Sequence, residues 1–137
     1  MDVTGGRKDF ILVNTRFSNG NPKMGVHHRF NTKQQDSGKH PEFYMEEAYI
    51  ANNKLLFGFI ELCIYLAREL PDTEIVIRPH PSESPDIYKI LTKKLHNIYV
   101  ASTGGVESWI RMSKVLIHNG CTTAIQSIVA KQNVVDA

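Results

Sequence analysis

The feature that most limits how this chain can fold is a series of short apolar runs, each cut off by a polar or glycine-rich turn. Stretches with helical spacing separate them. Phe10-Ile11-Leu12-Val13 is the first run, ending at Asn14 and Thr15. A continuous apolar run of this length, bounded by turn signals, suits a strand buried on both faces. Residues 74–78 form the second, stopped by Pro79; residues 97–100 the third; residues 115–118 the fourth; and residues 133–135 open a fifth. After Pro41, Leu56, Phe59, Ile60, Cys63, Leu66, Ala67 and Leu70 recur at three- and four-residue spacing, which predicts a long helix ended by Pro71 and Asp72. Residues 86–95 predict a shorter helix with Ser84 and Pro85 as cap and first-turn residue, residues 106–112 a brief one carrying the only tryptophan, and residues 124–131 another. Regular alternation of strand and helix calls for a parallel sheet with helices on both faces and right-handed crossovers. The expected class is α/β, Rossmann-like.

With 137 residues the chain holds enough apolar material for one core and hardly two, so residues 1–137 are expected to form a single domain. The net charge is +2 and the basic residues are scattered, so no groove for nucleic acid is expected. The longest apolar stretch, residues 55–67, is interrupted by Glu61 and falls short of the roughly 20 residues a bilayer requires. Without a leader pattern at the start, the expected location is cytoplasmic. Cys63 and Cys121 lack a CxxC spacing and are expected as free thiols. The chain opens just before a strand and stops where another begins, which suggests a piece of a longer, two-domain protein.

In open parallel sheets, ligands bind beyond the carboxyl ends of the strands. Here those ends carry Asn14, Thr15, Arg78, His80, Ser102, Thr103, Gly104, Gly105, His118, Asn119, Gly120, Thr122 and Thr123. In Arg78-Pro79-His80-Pro81 the two prolines stiffen the loop and hold a planar cationic fork and an imidazole in fixed directions, which suits a phosphate. The same residues also fit a stiff loop whose Arg pairs with a carboxylate and whose His caps the next helix. His118-Asn119-Gly120-Cys121-Thr122-Thr123 runs from strand to helix, and its glycine and hydroxyls suit an anion at a helix start, while Thr122 also suits a plain N-cap. Ser102-Thr103-Gly104-Gly105 is either a third lobe of the cradle or an ordinary turn. His27, His28 and His40 lie in a polar loop of residues 16–41 without carboxylates at ligand spacing, and no metal is expected.

Arg78-Pro-His-Pro-Ser-Glu83 followed by Val115-Leu-Ile-His-Asn-Gly-Cys-Thr-Thr-Ala124 resembles the C-terminal half of bacterial surface carbohydrate biosynthesis proteins (capsule and lipopolysaccharide), which belong with the GT-B glycosyltransferases. Phe10-Ile-Leu-Val-Asn-Thr15 is similar to the start of that half, so the resemblance spans about residues 10–135. More distantly, the His-Pro pair is similar to that of transferases using cytidine-nucleotide donors. The resemblance implies a metal-independent enzyme without a cofactor, whose nucleotide-sugar donor lies with His80 near the phosphate and Thr122 and Thr123 completing the cradle. It implies also that the acceptor site and the catalytic base belong to an N-terminal domain, with peripheral association at the inner membrane, and that this half alone transfers nothing. Arg78, His80 and the Thr122/Thr123 turn would stabilise the charge on the departing phosphate. Two alternatives stand beside this. A nucleotide-sugar epimerase would need carboxylates over the sugar, for which Glu83 and Glu107 are the candidates; a non-catalytic interaction domain of a polysaccharide assembly system would need no ligand.

Overall fold

The computed structural model describes residues 4–18, 20–25, 42–119 and 133–136, with the side chains of 42–45 and 133–136 excepted. Its elements are β1 (Phe10–Thr15), α1 (Glu42–Glu69), β2 (Ile75–Pro79), α2 (Asp86–Thr92), β3 (Ile98–Val100), α3 (Val106–Met112), β4 (Ser113–His118) and β5 (Asn133–Asp136). The five strands form one parallel sheet in the order β3-β2-β1-β4-β5, the α/β arrangement expected.

Alternation along each strand divides the core between the two faces. Ile11 and Val13 of β1, Ile75 and Ile77 of β2 and Ile117 of β4 meet Leu56, Phe59, Ile60, Cys63 and Ala67 of α1 and Tyr88 of α2. Phe10 and Leu12, Val76 and Leu116 face the other way, onto Trp109 and Ile110 of α3. Helices thus cover both faces. By length and composition alone, Glu46–Glu69 within α1 is long and apolar enough to cross a bilayer. One side of that helix is nevertheless committed to the sheet, while Ile50, Leu55, Phe57 and Tyr65 are exposed on it.

The element ends depart from the sequence expectation for local reasons. Helix α2 stops at Thr92, whose hydroxyl turns back onto the Tyr88 carbonyl at 2.6 Å, rather than running to Leu95. Its cap position is Pro85 and not Ser84, whose hydroxyl reaches the Asp86 amide only at 3.4 Å. Pro79 is the last residue of β2 rather than the first residue beyond it. The even-numbered residues of β2 bond towards β1, and the ladder continues with the His80 amide on the Thr15 carbonyl at 3.2 Å. The missing amide of Pro79 faces the β3 side, where pairing has finished with Val100, so no bond is lost. β3 begins at Ile98, one residue later than expected, although the Asn97 carbonyl still accepts from the Ile75 amide of β2 at 2.8 Å; the Asn97 side-chain amide lies 3.0–3.1 Å from the carbonyls of Ala67, Leu70 and Thr73 at the end of α1. The predicted helix at 124–131 lies outside the described residues.

Candidate functional site

The strand order reverses between β1 and β4, since chain connections lead from β1 one way, to β2 and β3, and from β4 the other, to β5. A crevice at the carboxyl end of such a switch point is where doubly wound sheets take ligands. Here the register places Asn14 opposite Arg78 on one side and opposite His118 on the other. All three share the parity of the residues that pack on α3, so Arg78, Asn14 and His118 form a row across three strands on that face. Asp136 of β5 continues the register beside His118.

The row is unusual in its polar accounting. Asn14 is 3% exposed, and among the described residues neither its Oδ1 nor its Nδ2 has a hydrogen-bond partner. The Arg78 Nη2 donates to the Gly104 carbonyl at 2.9 Å, whereas its buried Nε has no partner among the described residues. Among the described residues Arg78 has no carboxylate partner; the ion pair there joins Arg7 to Glu74 at 2.9 Å. Burial holds the Arg78 guanidinium below the usual arginine range, the direction expected of a cation taken partly out of water without a counter-charge. The alternative in which Arg78 serves an internal ion pair is thus not what is found among these residues. Gly104 accepts that bond with φ at +83°, a conformation that favours glycine. Trp109 Nε1 donates to the Thr103 carbonyl of the same turn at 3.2 Å.

Thr15 points to the opposite face and is engaged there. Its hydroxyl donates to Glu83 Oε2 at 2.8 Å, and Tyr88 donates its phenol to Glu83 Oε1 at 2.6 Å. The His80 backbone amide adds a third donor to the same carboxylate at 2.9 Å. Burial first, then the charge and hydrogen bond of Glu83, push the Tyr88 phenol above its ordinary range. This buried cluster anchors the Arg-Pro-His-Pro loop to the end of β1. Spacing in the sequence offered no hint of it, since Tyr88 reads as one apolar residue of a helix stripe.

The His80 ring is exposed and held by its own loop. Its Nδ1 lies 2.7 Å from the Ser82 hydroxyl and 3.1 Å from the Ser82 amide. An amide can only donate, so Nδ1 accepts and the neutral ring carries its proton on Nε2. Ser82 is bonded in turn to Ser18, and Lys23 and Asn21 tie the segment after β1 onto this loop. Farther on, Asn119 spans the switch point: its Oδ1 accepts from the Arg16 amide at 2.8 Å and its Nδ2 donates to the Arg16 carbonyl at 3.2 Å.

Of the residues marked at the strand ends, the fold therefore brings Asn14, Arg78 and His118 together, sets Gly104 against Arg78, and turns Thr15 to the other face. Ser102 is exposed beside that turn. Gly120, Thr122 and Thr123, with Cys121, His27, His28 and His40, lie outside the described residues. No family model, curated protein or solved structure matches this chain.

Proposed function

We propose that this chain is the donor-binding half of a metal-independent glycosyltransferase of bacterial surface polysaccharide biosynthesis, acting in the cytoplasm on a nucleotide-activated sugar. The observation that carries the proposal is Arg78, a partly buried guanidinium with no carboxylate beside it among the described residues, set next to Asn14 and in one row with His118 at the switch point. A desolvated, unneutralised cation is costly in a folded chain, and a phosphate supplies the missing charge with the geometry a guanidinium prefers. His80 contributes from the neighbouring loop. With Nδ1 held by Ser82, its Nε2 proton is available to an oxygen of the departing phosphate, where charge grows as the glycosidic bond breaks. Preference for a cytidine nucleotide rests on the resemblance of the Arg-Pro-His-Pro loop. The epimerase alternative loses support from Glu83, which is spent on three internal donors instead of facing a sugar.

Titration calorimetry with CMP, CDP, UDP and GDP tests this. A cytidine nucleotide should bind saturably, and His80→Ala and Arg78→Gln should each weaken it by about 1.5–3 kcal/mol, the range for a charge-assisted hydrogen bond. A folded sample that binds none of the four nucleotides overturns the proposal.

A further inference from the structure

We infer that Asn14 is the residue that reads a sugar: it pairs with a vicinal diol of the ligand while Arg78 holds the phosphate. The inference rests on the phosphate-binding proposal above and goes beyond it by assigning the ligand class, a phosphate ester of a sugar or nucleoside with two adjacent hydroxyls.

The argument begins with an imbalance. A buried carboxamide carries two donors and two acceptor lone pairs, and leaving them unpaired is unfavourable. Among the described residues Asn14 leaves both ends unpaired near the carboxyl end of the central strand, where an apolar side chain would pack without loss. Polar groups kept in a core against stability are expected at functional positions. The chemistry of the two ends then selects the ligand. A phosphate ionised at neutral pH offers only acceptors, so it can satisfy Nδ2 and the Arg78 Nε but never Oδ1. A vicinal diol offers both at once: one hydroxyl donates to Oδ1 and the neighbouring oxygen accepts from Nδ2. Because Asn14 and Arg78 are in register on adjacent strands and share a face, a diol and a phosphate carried on one sugar ring meet both residues together.

Both Asn14 atoms are shut off from solvent, so entry needs a local opening. The exposed turn of residues 102–105 is suited to it: one bond from Arg78 to the Gly104 carbonyl and one from Trp109 to the Thr103 carbonyl hold it to this face. A ligand phosphate competes with the Gly104 carbonyl for Arg78. Trp109 is the only tryptophan of the chain, so its fluorescence follows the turn.

The test is Asn14→Leu, of similar size and without polar atoms, compared with the unaltered chain by thermal melting and by titration. The probes are CDP, its 2′,3′-dideoxy analogue, a hexose 1-phosphate and inorganic pyrophosphate. Expected is a variant that melts higher, loses about tenfold or more in affinity for CDP or for the hexose 1-phosphate, and changes for pyrophosphate by less than about threefold, or half a power of ten. Weak binding of the dideoxy analogue by the unaltered chain assigns the diol to the ribose; tight binding of it, with loss of the hexose 1-phosphate in the variant, assigns it to the sugar. A variant that melts lower or fails to fold overturns the inference, because Asn14 is then structurally satisfied. Equal losses for every probe, or none, also overturn it while the phosphate site stands. If the unaltered chain binds no probe, it is the underlying proposal that falls.

Discussion

Glu83 is a carboxylate at 2% exposure with no cation against it among the described residues, and it is held by the Thr15 and Tyr88 hydroxyls and the His80 amide. Such a group is tolerable only while its donors remain. Tyr88→Phe deletes the shortest of these bonds and leaves Oε1 unmatched, and should destabilise the chain by about 1–3 kcal/mol in urea unfolding. Two buried acids also give the fold an alkaline limit. Burial pushes the Cys63 thiol from 9.0 up to about 12, and burial together with Glu83 raises the Tyr88 phenol above its ordinary 10.0. In both, the folded chain holds the proton more tightly than the unfolded chain does. Stability is therefore whole below pH 9 and declines above it, by about 1.4 kcal/mol per pH unit for each group titrating only in the unfolded state. Cys63→Ala removes the earlier part of that decline, and in unfolding curves measured against pH the onset should move from near 9 to near 10.

Between elements, single polar side chains do the joining. Asn97 closes the carboxyl end of α1 by meeting the Ala67, Leu70 and Thr73 carbonyls. Asn97→Asp keeps the shape but turns an acceptor towards these three carbonyls, and should cost about 2–4 kcal/mol in equilibrium unfolding; Asn97→Ala, which only leaves them unpaired, should cost less. Helix α3 is fixed by Trp109, whose ring meets Phe10 edge-on at a centroid distance of 5.8 Å and stacks on Tyr99 at 6.2 Å. Arg7 covers the Tyr99 ring at 3.8 Å, extending the stack towards the chain start. After β1, Gly20 approaches α1 so closely that a Cβ there would lie 2.9 Å from the Asn52 Oδ1 that accepts its amide.

For the molecule as a whole, the order β3-β2-β1-β4-β5 sets the switch point at which the proposed ligand would meet the chain, because it parts the connections on either side of β1 and β4. On the proposed reading, binding at that crevice is linked to folding. A cytidine nucleotide at 100 times its Kd should add about 2.7 kcal/mol of stability, seen as a higher melting temperature. At the same nucleotide concentration Arg78→Gln should cut that increment to about 0.3–1.3 kcal/mol yet alter the unliganded stability by less than about 1 kcal/mol, since Arg78 has no ion pair to lose among the described residues. A lower melting point without ligand would show instead that the guanidinium is a structural part of the sheet edge.

The apolar runs and the helical spacing determined the class, the strand positions and the set of polar residues at the strand ends, because burial on both faces of a parallel strand imprints its pattern directly on neighbouring residues. Asn14, Arg78 and His118 were legible as polar residues at the strand ends, although not as a row. Register joins positions more than a hundred residues apart, and parity decides which face each takes; neither leaves a local trace. That is why Thr15, one residue from Asn14, turns away to Glu83 and Tyr88, and why the Asn97 side chain serves α1 while its carbonyl pairs with β2. What only the tertiary structure decided is which polar groups are satisfied and which, as in Asn14 and Arg78, are left with unmatched atoms, since hydrogen bonding in a core is settled by the neighbours that packing brings.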